Sequence, residues 1–512
     1  MRATQRSITI HPDARGAEEF RTEPQCEAEA GFDHLVENHV IGLYPEFRFQ
    51  TMEGFGCAMT ESACYLLSQM TAKKRRDTLA CWFGPEAGKA RFIRIPMDSC
   101  DYSLSEYQAV ADPIDDPELK TFSIDRDRQY ILPAVKEALA LSGGKLSALL
   151  SPWSPPWQWK TPPLARRNDA AAYGGQEAGT AAEPSRCNGG RLKPEYYPAW
   201  ARYVVKYLEA YLAEGIPVTM LSVQNEAAAA TPWDSCVWTG EEEKTFLKDH
   251  LAPALRAAGL ADRVQMFIWD HNKERMIEHI GEMMTPETEK LIGGFAYHWY
   301  TGDHFEALGL LGAKYPDKIL MHTESCPLHM PGRVIALEMD VEELKKKPRA
   351  ALAPEELAVL EQAGDTTPAQ VDQADAFAYA HDIIGDLNQG MQRWIDWNLI
   401  VDQDGGPRHV PGGFAAPLTL NAAGEVIRTP AYAWLNLIMQ AVPAGSVRIG
   451  KSVYGAAVEA AAVKTPEGRV QVLLFYPGKQ EEHVYLRLAG KVITAVLPGE
   501  SLTCISIDPE NC

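Results

Sequence analysis

Short apolar runs recur along most of this chain, and helical stretches fall between them. RFIRIP (Arg91–Pro96), ALLSP (Ala148–Pro152), TMLSV (Thr219–Val223), QMFIW (Gln265–Trp269), GFAYHW (Gly294–Trp299) and ILMHT (Ile319–Thr323) each suit one strand. Ala199–Glu214 and Gly240–Ala258 carry apolar residues at helical spacing. Strands alternating with helices imply parallel βαβ units. Several runs end in charged or aromatic residues: SCD, SPW, QNE, HWY and TES. Polar strand tips are where a (β/α)8 barrel keeps its site.

The last portion has a different rhythm. From about Ala441 it reads as short strands with turns, the pattern of an antiparallel β domain. Ser7–Ile10 and Val40–Gln50 are also strand-like. The expected fold is α/β: N-terminal strands at 1–50, a (β/α)8 TIM barrel at 51–435, and an associated antiparallel β-sandwich completed by 436–512. Two stretches read as insertions. One, 165–190, is rich in Ala and Gly; the other, 331–373, carries helix-forming charge and would sit above the barrel mouth.

The chain has 49 basic and 69 acidic residues, a formal charge of −20. That charge repels polyanions and argues against nucleic acid and anionic membrane as main partners. The N-terminus lacks the apolar run of a signal peptide. No stretch approaches the roughly 20 apolar residues of a membrane span. A cytoplasmic location without stable membrane insertion is the expectation. The ten cysteines form no CxxC pair and read as mostly free thiols.

Glycoside cleavage needs two carboxyls beside the scissile bond, about 5–5.5 Å apart when anomeric configuration is retained. With 69 acidic residues, only context selects. Glu226 follows TMLSV within QNE, and Glu324 follows ILMHT. Both stand where barrel strands expose their tips. Asn225, beside the first, could donate to a sugar 2-hydroxyl. Trp153, Trp157, Trp159, Trp233, Trp238, His298, Trp299, Tyr300, Trp394 and Trp397 gather near the same tips. Flat rings of this kind stack on pyranose faces. His298 is either a base in its own right or a satisfied supporting histidine. GxSxG, GxGxxG and HExxH are absent, and the one GxxxxGKS match, GSVRIGKS at 445–452, lies in the β-rich last portion where no long helix fits, so it supports no nucleotide site and no cofactor and no metal is expected.

Eight collinear blocks resemble glycoside hydrolase family 30, the glucosylceramidases and related retaining β-glycosidases. They are EGFGCAMTESACYLL, RFIRIPMDSCDYSLSEY, LLSPWSPPWQWK, GGRLKPEYYPAWARYVVKYLEAY, VQNEAAAATPWDSCVWTGEEE, AYHWYTGDHFEAL, MHTESC and WIDWNLIVDQDGGPRHV, spanning roughly 50–440. The resemblance implies a barrel with a side sandwich built from both termini. It implies Glu226 as acid/base and Glu324 as nucleophile. Asp101 and Trp153 would hold glycone hydroxyls, Asn225 the 2-hydroxyl, and Arg94 would steady the nucleophile's charge. His298, Tyr300, Trp394 and Trp397 would line the pocket. The implied activity is exo-cleavage of a small β-glycoside or oligosaccharide, β-glucosidase- or glucosylceramidase-like. Endo-β-1,6-glucanase, β-xylosidase and β-fucosidase or galactosidase are the alternatives within the family, and a silent carbohydrate-binding protein is the alternative outside it. The chain departs from the family in two places. Ala227 follows QNE where Pro is usual, and PGGFAAPL follows the GGP stretch. There Gly413 and Ala416 stand near a sugar-contacting Asn and an Asp, which would loosen one side of the pocket.

Overall fold

The computed structural model describes residues 1–10, 16–28, 38–85, 89–162, 187–231, 233–327, 368–410 and 413–508, with three two-residue strands between 327 and 368. The two expected insertions fall largely outside the described residues.

Eight parallel strands close into a barrel. In chain order they are β1 (Gly54–Ala58), β2 (Phe92–Met97), β3 (Ser147–Pro152), β4 (Val218–Ser222), β5 (Gln265–Asn272), β6 (Ile292–His298), β7 (Ile319–Glu324) and β8 (Arg393–Asn398), and β8 closes on β1. Six match the apolar runs. β1 and β8 lie outside those runs: two glycines interrupt GFGCA, and Arg, Asp and Asn break up RWIDWN. Gly56 shows why such residues are used. A Cβ there would stand 2.2 Å from the Phe92 carbonyl oxygen, so only glycine lets β1 approach β2 this closely.

Phe92, Leu149, Met220, Phe267, Ala296, Met321 and Ile395 fill the barrel interior, one from each of seven strands. Side chains alternate in and out along a strand, so the residues between these face the helices. Helix starts are fixed locally. Thr60 follows β1 and caps Glu61–Ser68 by accepting from the Ala63 amide, while its hydroxyl donates to Asn398 Oδ1 at 2.6 Å.

The terminal strands build one ten-stranded sheet with its own apolar core. Arg2–Ile10 pairs with Ser501–Asp508, and Val40–Thr51 with Val447–Tyr454. One pair, Val40–Thr51 with Glu482–Leu488, runs parallel. The helix Pro430–Ala441 joins barrel to sheet: Trp434 stacks on Phe377 at 5.4 Å and meets Phe475 of the sheet at 5.7 Å. It runs past the boundary expected at 435. The nine described cysteines are free thiols, eight of them buried.

Candidate active site at the barrel mouth

The polar strand tips converge on one group of buried charges. Arg94, from the middle of β2, is fully buried at the group's centre. Its Nη1 donates to Glu324 Oε2, and its Nη2 donates to Asp270 Oδ2 at 2.9 Å, Asn225 Oδ1 at 2.7 Å and Ser151 Oγ at 3.1 Å. Glu324 is the last residue of β7, and its Oε1 accepts from the Tyr300 hydroxyl at 2.9 Å. Both carboxylate oxygens of Glu324 are therefore held by donors, which fixes its plane.

Glu226 lies four residues beyond β4, with φ at +49°. Its amide donates to the Asp270 carbonyl at 2.7 Å. His298 Nδ1 sits 3.3 Å from Glu226 Oε1, and Nε2 sits 3.2 Å from Asp270 Oδ1. With a carboxylate at each nitrogen, the ring is an imidazolium that donates both ways. Burial pushes His298 down, but Glu324, Asp270 and Glu226 outweigh it and raise it to about 9. His271 Nδ1 also lies 3.3 Å from Glu226 Oε1, within ion-pair range but off a hydrogen-bond angle. Burial would raise the Glu226 carboxyl; His271 and His298 reverse that and hold it below the ordinary range. One chain of contacts thus links the two glutamates: Glu324–Arg94–Asp270–His298–Glu226.

Asp270 is the residue that sequence reasoning missed. It is fully buried and accepts from Arg94, from Ser151 at 2.8 Å, from Ser222 and Thr323 at 2.5 Å each, and from His298. Burial would raise it, yet Arg94 and these donors hold it far below the ordinary carboxylate range. A β-bulge puts it there. Trp269 pairs with Ala296 and His271 with Tyr297, leaving Asp270 as the extra residue, at φ +45°. The run QMFIW predicts a strand ending at Trp269, whereas the strand runs on through Asp270 to Asn272.

The floor is aromatic. Trp153 stacks on Trp397 at 5.3 Å, and the Arg94 guanidinium lies 4.7 Å from the Trp153 ring. Tyr102 meets Trp397 edge-on at 5.9 Å. Asp101 opens onto this floor with its side chain 6 % exposed; burial pushes its carboxyl up to about 7. Gln224 ties the turn together by donating to the Trp153 carbonyl at 2.8 Å.

Of the sequence-nominated residues, Arg94, Asp101, Trp153, Asn225, Glu226, His298, Tyr300, Glu324 and Trp397 meet at this mouth. Trp394 does not. On β8 it falls on the outward parity, between inward Arg393 and Ile395, and packs against Phe55, His322 and Tyr379 in the helix layer. Its inclusion in the pocket is corrected accordingly. Trp299 is likewise turned outward, onto Tyr379. Position 413 also resolves: a Cβ on Gly413 would meet the Asp404 carbonyl oxygen at 2.4 Å, so this loop leaves no room for an Asn there.

Among the described residues, three groups of donors are close enough to hold a metal: Glu226/His271/His298, Glu106/Cys187/Asp234 and His322/Asp382/Asp386. In the third, His322 Nδ1 is committed to Asp386 at 2.8 Å and Nε2 to the Glu324 carbonyl at 2.9 Å, while Lys273 pairs with both Asp382 and Asp386. In the first, Asp270 occupies the remaining nitrogen of His298.

A closed barrel with paired carboxylates and stacked indoles at its strand tips is the framework of enzymes that cleave glycosides. The profile described as the glycosyl hydrolase family 30 TIM-barrel domain matches residues 52–330 and 341–434. The chain belongs to that family. A putative glucosylceramidase 4 of Caenorhabditis elegans is 28 % identical over 420 residues, 80 % of this chain and 71 % of its own length. The lysosomal acid glucosylceramidase of Mus musculus is 24 % identical over 478 residues, 90 % and 82 %. Among solved structures, SrfJ from Salmonella typhimurium superposes with a TM-score of 0.79 at 27 % identity, covering 98 % of this chain and 99 % of that one. An endo-β1,6-glucanase superposes with a TM-score of 0.76 at 23 % identity, covering 99 % of both.

Proposed function

We propose that this glycosyl hydrolase is a retaining, exo-acting β-glycosidase of β-glucosidase or glucosylceramidase-like type, with Glu324 as nucleophile and Glu226 as acid/base. The observation that carries this is the asymmetric treatment of the two carboxylates. Glu324 is clamped through both oxygens by Arg94 and Tyr300, as a nucleophile that must stay ionised and aimed requires. Glu226 is instead placed against imidazoles that can give and take protons.

Glu324 attacks the anomeric carbon, forming a carbon–oxygen ester bond as the glycosidic bond breaks. Glu226 passes a proton to the departing oxygen. At rest that proton sits on His298, and Glu226 receives it through the 3.3 Å contact with His298 Nδ1 as the leaving oxygen moves onto the carboxylate. In the second half, Glu226 takes a proton from water, whose oxygen then displaces Glu324. Asn225, anchored to Arg94, is set to hold the 2-hydroxyl. Asp101 and Trp153, both buried at the floor, suit a closed glycone site and hence cleavage from a chain end.

The second reading is an endo-β-1,6-glucanase, favoured by the near full-length likeness to one. A panel of nitrophenyl β-glucoside, xyloside, fucoside and galactoside, beside gentiobiose, a β-1,6-glucan and glucosylceramide, separates them. The proposal expects nitrophenyl β-glucoside to be the best aryl glycoside and glucose to be released singly. Oligosaccharides as the first products of the glucan would overturn the exo reading. No helix among the described residues is long and apolar enough to cross a membrane.

A further inference from the structure

The loop after β8 brings a second arginine to the mouth. Tyr102 pins this loop at two points: its hydroxyl donates to the Gly405 carbonyl at 2.9 Å and accepts from the Phe414 amide at 2.8 Å. Between them Arg408 turns inward, its side chain only 4 % exposed. Three rings surround the guanidinium, Tyr102 and Phe414 at 5.0 Å and Trp233 at 6.0 Å. Its Nε has no hydrogen-bond partner. Among the described residues its ion-pair partner is Asp101, whose Oδ2 lies 3.9 Å from Nη2, beyond hydrogen-bond reach.

A buried guanidinium N–H without an acceptor, as at Arg408 Nε, is costly because it has lost water and gained nothing. Aromatic faces offset part of that cost. They offer no acceptor for the N–H groups.

We infer that Arg408 and Asp101 form a donor–acceptor pair for two neighbouring hydroxyls of a neutral glycone, and that Arg408 sets sugar selectivity. One hydroxyl oxygen accepts from the guanidinium while a neighbouring hydroxyl donates to the carboxylate. This inference rests on the glycosidase reading of the same mouth. A neutral sugar fits better than an acidic one. The charge of Arg408 is already matched by Asp101, and an added carboxylate or phosphate would face Asp101, Glu324 and Asp234, opposed by His409.

The test is a cycle between one side chain and single sugar hydroxyls. Wild type, Arg408→Met and Arg408→Lys are assayed on the nitrophenyl β-glycoside that wild type cleaves fastest, on its 3-, 4- and 6-deoxy analogues, and on the β-glucuronide. Met keeps the apolar stem among the rings and removes only the charged donor. Wild type should reject at least one deoxy analogue by about 10- to 100-fold in kcat/KM, the loss expected for a hydrogen bond to a charged group. Arg408→Met should lose a comparable factor on the parent, chiefly through KM, and treat that analogue and the parent alike. Arg408→Lys should fall between. Near-wild-type kcat/KM in Arg408→Met, unchanged discrimination, or an equal fall on every substrate would overturn the role. So would a loss confined to the glucuronide. Sugar binding to Glu324→Gln, read by tryptophan fluorescence with and without Arg408→Met, gives the same comparison without turnover. Should that binding persist while no variant hydrolyses any glycoside, the catalytic reading fails and the role of Arg408 stands.

Discussion

Replacing Asp270 by Asn removes one negative charge from the centre of the network while keeping its shape. His298 feels this most directly, because its Nε2 loses a carboxylate 3.2 Å away. At an effective dielectric of about 20, a unit charge at that distance is worth about 5 kcal/mol. Arg94 already pairs the same carboxylate at 2.9 Å, so about half of that reaches the imidazole, which corresponds to about two pH units. In the native site His298 is raised to about 9, so its imidazolium persists through neutral pH and is lost as pH rises past that value. The stability it contributes has the same sign: fully present below its unfolded value near 6.5 and lost as pH rises through about 9. Asp270→Asn should therefore move the alkaline limb of kcat/KM from near 9 to near 7, read on a nitrophenyl β-glycoside between pH 5 and 10. It should also lower stability by about 3 kcal/mol, the cost of leaving a buried partner charge under-compensated. Melting curves at each pH separate unfolding from titration. An alkaline limb that stays near 9 would refute the claim that Asp270 holds the imidazolium charged.

Glu226→Ala should cost natural glycosides about 10²–10⁴-fold in kcat/KM and a dinitrophenyl glycoside much less, because a good leaving group needs no proton; equal losses on both would remove Glu226 from the acid role. Lys273→Met leaves the buried Asp382 and Asp386 with only His322, so it should destabilise by about 3–5 kcal/mol, visible as a lower thermal midpoint; an unchanged midpoint would show that the pair was never energetically closed. Trp397→Leu removes the ring stacked on Trp153 while keeping an apolar core, and should raise KM for glycosides more than it lowers kcat; an unaltered KM would take the indole pair out of the sugar site.

How much of this was legible in sequence depended on what each residue's position required. The barrel was, because strand–helix alternation and polar strand tips are periodic features of the chain itself. The six strong runs lay within a few residues of their strands; β1 and β8 became visible only in the closed barrel, where Gly56 fits against Phe92. Glu226 and Glu324 stood out through the neighbouring words QNE and TES. Asp270 did not, since a bulge inserts one residue without a compositional mark and turns it inward. Trp394 was misplaced for the complementary reason. In RWIDWN one indole faces the mouth and the other the helices, and parity is set by register with β1 rather than by residue type. Arg408 carried no signal beyond its place after GGP; its burial comes from Tyr102 gripping the loop at Gly405 and Phe414.

The central claim is that Glu324 becomes covalently bonded to the sugar. A 2-deoxy-2-fluoro-β-glucosyl fluoride slows both halves of the reaction and lets such an ester accumulate. Incubation followed by intact mass and peptide mapping tests the claim directly. The account predicts one fluoroglucosyl unit per chain, carried on Glu324 in the stretch ILMHTESC and absent from Glu324→Gln. A label on any other residue, or turnover of the fluoride with no labelled protein and an α-configured first product, would contradict it.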